Sequence, residues 1–153
     1  MAIADLFSAA DGILTLAPSG KKDLLEMLAT KVSARLGLPR DKVLDAILAR
    51  EKLGSTALGR GVALPHARVD WLETPVAILA RLTHPIDMEA RDGEPVDLVF
   101  LVLWPESASE GFLPALSSIC RVLRDNQLPR ELRQARSAAE ALQTLQAADR
   151  PQI

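Results

Sequence analysis

The run Ala49-Arg50-Glu51-Lys52-Leu53-Gly54-Ser55-Thr56-Ala57-Leu58-Gly59-Arg60-Gly61-Val62-Ala63-Leu64-Pro65-His66 gathers the side chains with which a protein can hold and accept a phosphoryl group. Its glycines let backbone amides approach an anion closely, Ser55 and Thr56 offer hydroxyl donors, and Arg50 or Arg60 can hold phosphate in a charge-assisted fork. His66 closes the run. An imidazole of ordinary pKa, near ~6.5, is mostly neutral at pH 7 and has one ring nitrogen free to attack phosphorus. A lone histidine is more often packed or solvated than nucleophilic, so the company of glycines, hydroxyls and arginine is what makes His66 the candidate.

Two familiar phosphate motifs fail on this text. Gly54 and Gly59 have the spacing that opens a P-loop, but Arg60 stands where lysine is required and Gly61 where a magnesium-binding hydroxyl is required. Gly59 and Gly61 would begin a dinucleotide fingerprint, but its third position is Leu64, and Pro65 disfavours a helix starting there.

The elements that must position these residues follow from periodicity. Leu24, Leu25, Leu28, Val32 and Leu36 recur at helical spacing, with Ser19 as a cap and Gly37 and Pro39 as the stop. A second helix follows Pro39, with Val43, Leu44, Ile47 and Leu48 on one face, and fades near Lys52 or Gly54. Ile13 to Leu16, Val62 to Leu64, Val76 to Leu82 and Val96 to Trp104 read as strands. From Leu98 on, the last is apolar throughout, which requires cover on both faces; helices are the available cover. Leu113, Leu116, Ile119, Val122 and Leu123 form a further helix to about Asp125, a short one begins at Leu128-Pro129, and a Ser137/Glu140 capping box starts the last, to about Ala147. The expected fold is α+β: a three-layer α/β/α sandwich with a mixed sheet of about four to five strands.

With 153 residues, 48% of them hydrophobic, the chain is expected to form one domain over 1–153 with a core of about 3–147 and a frayed C-terminus. Its longest clean apolar run, Leu98 to Trp104, is far short of the roughly 18 residues a membrane span needs, and Met1-Ala2-Ile3-Ala4-Asp5 lacks the features of a secretory signal, so a cytoplasmic protein is expected. Cys120 is the only cysteine, which excludes an internal disulfide and a thiolate-rich zinc site. With only His66 and His84 besides, no metal is expected, and a net charge of −2 supplies no field for nucleic acid. His84 reads as a turn residue after its strand, Cys120 as a buried structural thiol, and Trp71 and Trp104 as packing residues. Arg121, Arg124, Arg130, Arg133 and Arg136 read as a solvated face, with a docking surface for an acidic partner as the sharper alternative.

From Arg50 to His66 the text REKLGSTALGRGVALPH resembles, almost position for position, the phosphorylation-site segment of the enzyme IIA family of the bacterial phosphotransferase system, of fructose, mannitol and nitrogen-regulatory type. The likeness extends to Asp41 to Arg50, Thr83-His84-Pro85-Ile86, Pro95-Val96-Asp97-Leu98-Val99-Phe100 and the helical tail, nearly the whole chain. It implies that His66 is a phosphohistidine charged by a histidine-containing phosphocarrier protein, and that Arg50 stands beside the phosphoryl group. Gly54, Ser55 and Thr56 would form the site-lining turn. Arg68 occupies a position that is usually small-polar or basic, where it would steer an acidic partner. No cofactor is implied. The text is most similar to the nitrogen-regulatory branch, which implies regulation rather than a sugar-specific component passing phosphate to a membrane permease.

One departure bears on mechanism. The family commonly has a second histidine at the start of the helix after the long apolar strand; here the stretch reads Glu110-Gly111-Phe112-Leu113. A phenyl ring neither donates nor accepts, so the tautomer of His66 must be set by a backbone carbonyl or by Glu110. A binding module that keeps the fold and works without phosphorylation is the alternative of another class. Ala57 also stands where glycine is usual, which matters if its φ is positive.

Overall fold

The computed structural model describes residues 3–7, 9–125 and 127–148. Two helices, α1 (Lys21–Leu36) and α2 (Arg40–Glu51), separate a first strand, β1 (Ile13–Leu16), from the glycine-rich run. That run folds into short strands, β2 (Ala57–Gly59), β3 (Val62–Ala63) and the beginning of β4 (His66–Val69). Two long strands follow, β5 (Val76–Ile86) and β6 (Val96–Pro105), then α3 (Phe112–Arg124), α4 (Gln127–Gln134) and α5 (Ala138–Ala147).

β6 is central because both of its parities are apolar. Leu98, Phe100, Val102 and Trp104 enter one core with α3, α4 and α5; Val99, Leu101 and Leu103 enter the other with α1 and α2. Between Leu98 and Trp104 a polar side chain at either parity would be buried without water, at about 1–3 kcal/mol, so this stretch cannot alternate. The result is the three-layer α/β/α arrangement expected from the sequence. β6 pairs antiparallel with β5, which pairs parallel with β1. On its other side β3 and β4 follow one another, both parallel to β6, and β2 adds antiparallel to β3, making six strands.

The strand count exceeds the expected four to five because β2 and β4 are too short to show a period. β5 also runs on to Ile86 through a register irregularity after Arg81, so His84 lies exposed on the strand and not in a turn beyond it. Ser19 does not cap α1 as expected: Gly20 holds the cap position without a side-chain bond, and Asp23 instead accepts from the Ser19 amide at 2.8 Å. The Ser137 cap does form, accepting from the Glu140 amide at 3.1 Å, while Glu140 reaches back to the Arg136 amide at 3.2 Å. Cys120 is half-buried, Trp104 is buried, and Trp71 is partly buried against the α1–α2 core. The expected fraying concerns 149–153, outside the described residues. No described helix is long and apolar enough to cross a membrane.

The turn joining β2 to β3 is Arg60-Gly61, both at positive φ (56° and 82°), as a two-residue hairpin turn of right-handed twist requires. Gly61 also accepts from the Asp97 and Leu98 amides, and a Cβ added to it would sit 2.8 Å from Arg133 Nη2. Gly61→Ala is therefore expected to cost about 1–2 kcal/mol, lowering the Tm by roughly 2–8 °C in a calorimetric melt. An unchanged Tm would show that this turn does not hold the hairpin.

Candidate functional site

His66 opens β4, and the alternation of that strand decides what it faces. Ala67 and Val69 enter the α1–α2 core, so His66 and Arg68 project to the other side of the sheet, beside Val102 and Trp104 of β6. There the first residue of α3, Phe112, sets its ring 5.8 Å from the imidazole at 54° and 6.0 Å from the Trp104 ring. Arg68 lays its guanidinium 5.8 Å from the centroid of Phe112. Gly111 is what allows this approach: a Cβ there would lie 3.2 Å from the Trp104 ring.

His66 Nδ1 lies 2.8 Å from the Leu64 carbonyl oxygen, which can only accept, so Nδ1 carries the proton. The Nε–H of Arg50, at the end of α2, donates to His66 Nε2 at 3.3 Å, so Nε2 carries the lone pair. Both contacts select the same neutral tautomer. Of the two groups that the sequence left as alternatives to set it, the backbone carbonyl is the one found in place.

Burial of the ring pushes the His66 pKa below its ordinary value; the Leu64 hydrogen bond opposes this, the Arg50 charge adds to it, and the Glu51 carboxylate opposes it. The expected midpoint in a ¹⁵N NMR titration is therefore below the ordinary 6.5, leaving Nε2 mostly unprotonated at pH 7. Between that midpoint and 6.5 the unfolded chain binds more protons at this position than the folded one, so stability falls as pH drops through this window. A midpoint above 6.5 would overturn the dominance of burial.

The turn that precedes β2 is pinned at several points. Arg50 Nη1 donates to the Gly54 carbonyl at 3.1 Å. Ser55 Oγ donates to the Met88 carbonyl at 2.7 Å and accepts from the Ala57 amide at 3.1 Å. Thr56, 5% exposed, donates its hydroxyl to Glu51, and its carbonyl accepts from the Leu64 amide at 2.9 Å. Of the residues singled out from the sequence, Arg50 is thus brought onto His66, Arg68 reaches it through Phe112, and Gly54 holds Arg50. The hydroxyls of Ser55 and Thr56 are engaged by Met88 and Glu51 and maintain the shape of the turn. Two charged residues escaped the sequence reading: Glu51, whose carboxylate lies under the turn, and Lys21, which pairs with it at 2.9 Å. Adjacency of Glu51 to Arg50 was the only available signal for the first; nothing local marks the second. Ala57 is absent from the residues at positive φ, so its departure from glycine carries no strain. Among the described residues no three His, Cys, Asp or Glu side chains gather as a metal site.

Comparison with known proteins adds three findings. The family described as phosphoenolpyruvate-dependent sugar phosphotransferase system, EIIA 2, matches residues 6–148. A nitrogen regulatory protein of Bradyrhizobium diazoefficiens is 44% identical over 138 residues, 90% of each chain, and a fructose-specific EIIA component of Haloferax volcanii is 35% identical over 84% of this chain and 82% of its own. Among solved structures, nitrogen regulatory protein IIA-Ntr of Neisseria meningitidis superposes with a TM-score of 0.87 at 31% identity, covering 94% of this chain and 98% of that one.

Proposed function

Because the chain belongs to the EIIA 2 family of the phosphoenolpyruvate-dependent sugar phosphotransferase system, we propose that it is a phosphocarrier whose His66 Nε2 accepts a phosphoryl group from a phosphohistidine on a partner carrier protein. The observation that supports this most directly is the pair of contacts on one ring: Nδ1–H donated to Leu64, and Nε2 facing the Arg50 guanidinium. In the transfer the Nε2 lone pair forms the new N–P bond in line with the breaking one, whose electron pair returns to the donor imidazole. His66 becomes an imidazolium that keeps its Nδ1 proton on the Leu64 carbonyl. Arg50 moves its N–H from the ring nitrogen to the phosphoryl oxygens, where charge accumulates. Arg68, released from the face of Phe112, is the second cation within reach, and the Ser55–Thr56 turn keeps Arg50 in place.

Partner docking is supported by two large apolar side chains beside the site: Leu53, next to Gly54, is 83% exposed, and Leu113, next to Phe112, is 72% exposed. A regulatory role is supported by the identity to nitrogen regulatory proteins, and a sugar-specific role, delivering phosphate to a permease component, by the fructose-specific relative. The first is our preferred reading, for a cytoplasmic protein acting as one domain. Phe112, which offers the phosphate no hydrogen bond, favours a second reading, a binding module independent of phosphorylation.

The test is transfer of labelled phosphate from phosphoenolpyruvate through enzyme I and the histidine phosphocarrier. Acid-labile, alkali-stable incorporation with the ³¹P signature of an Nε2 phosphoramidate is expected. No incorporation from a competent donor pair would overturn the carrier and leave the binding module.

A further inference from the structure

Glu51 is an acid placed next to a site that must receive an anion. Its side chain is only 6% exposed, and both oxygens are engaged: one accepts from the Thr56 hydroxyl, and the other pairs with Lys21 Nζ at 2.9 Å. Lys21, the first residue of α1, reaches Glu89 as well, at 3.4 Å. Burial works against the Lys21 ammonium, and the two carboxylates together hold its pKa above the ordinary value, so the ammonium is charged at neutral pH. Nothing in the transfer chemistry uses this carboxylate, and a negative charge here repels the incoming phosphoryl group. A buried ion pair is weak evidence for stability as such, so its placement calls for another explanation.

The explanation lies in what the carboxylate ties together. Arg50 and Glu51 are consecutive at the end of α2, and the turn from Lys52 to Thr56 leaves and returns to them: Arg50 grips Gly54, Glu51 grips Thr56. Lys21 fastens the same carboxylate to α1, and Ser55 fastens the turn to the β5–β6 connection at Met88. Without Glu51 the turn loses its anchor beneath Thr56, and the Gly54 carbonyl that holds Arg50 loses its fixed position.

We propose that Glu51 is a positioning residue for phosphoryl acceptance: clamped by Lys21 and Thr56, its carboxylate fixes the 52–56 turn and through it holds the Arg50 guanidinium on His66 Nε2. This rests on the reading of His66 as the acceptor. Glu51 acts on the transfer through Arg50, and its anion also offsets the arginine's effect on the His66 ring.

The test is a double-mutant cycle on the full chain, read by single-turnover phosphoryl acceptance and, separately, by NMR titration of His66. Glu51→Gln keeps the shape and an acceptor for Thr56 but removes the charge that holds Lys21; acceptance is expected to slow about tenfold. In an Arg50→Ala background the same change is expected to have almost no further effect, because the residue it positions is gone. The His66 midpoint is expected to rise in Thr56→Val, which keeps the Glu51 charge but frees the arginine that lowers it, and not to respond to the same change in Arg50→Ala. Thr56→Val breaks the clamp from the other side and is expected to repeat the slowing and its dependence on Arg50, with Thr56→Ser restoring the rate; it serves if Glu51→Gln does not fold. An unchanged rate in both single variants, an equal slowing with and without Arg50, or a His66 midpoint unmoved by Thr56→Val would each overturn the proposal. Failure of the wild type to accept phosphate would instead overturn the acceptor reading, and the titration would still decide whether the clamp holds Arg50 on His66.

Discussion

His66→Ala is expected to take up no label from the phosphorylated donor, a loss of roughly 10³-fold or more, while melting within a few degrees of the wild type. Removing a nucleophile leaves no alternative route for a covalent step, and losses of this size follow in systems where the attacked group is the enzyme's own. His84, the other histidine, cannot substitute: it is exposed on β5, with neither a carbonyl to fix its tautomer nor an arginine on its free nitrogen among the described contacts. The fold should tolerate the change because His66 is only half-buried and its neighbours Leu64, Ala67 and Val69 supply the packing of this edge. Residual acid-labile label in the variant would place the phosphate elsewhere.

Arg50→Ala is expected to slow acceptance by about 10²-fold with only a small change in donor affinity. An arginine that bonds the nucleophile before reaction and the phosphoryl oxygens during it stabilises charge that develops in the transition state, and loss of one such donor typically costs about 10²–10³ in rate. Arg50→Lys should recover only part of this. One ammonium cannot both grip the Gly54 carbonyl, as Nη1 does at 3.1 Å, and address Nε2, as Nε does at 3.3 Å. Arg68→Ala should instead cost a few-fold, mainly in donor association and more at low salt, because its guanidinium is exposed and touches the site only across Phe112. Equal losses for Arg50→Ala and Arg68→Ala would mean that the two arginines share one role, contrary to their positions.

The layers of this fold were legible in the sequence because their signals are local. An apolar run with no alternation, Leu98 to Trp104, can only be a strand covered on both sides, and the helical spacing of Leu24, Leu28 and Val32 needs no partner to be read. The chemistry of the glycine-rich run was legible for the same reason, since side-chain type and spacing suffice to nominate His66 and Arg50. β2 and β4 were not, because three or four residues carry no period, and the strand that holds His66 exists only by pairing with β6.

Tertiary structure decided the rest. Which ring nitrogen is free depends on the Leu64 carbonyl and the Arg50 guanidinium, fixed by the turn and the end of α2. That Ser55 and Thr56 turn their hydroxyls inward depends on Met88 and Glu51, and Glu51 is held in turn by Lys21 from another helix. Sequence determined which groups were available, through residue type and periodicity along the chain. The fold decided which of their atoms face the phosphoryl group, because a hydrogen bond depends on directions and distances between residues that only packing brings together.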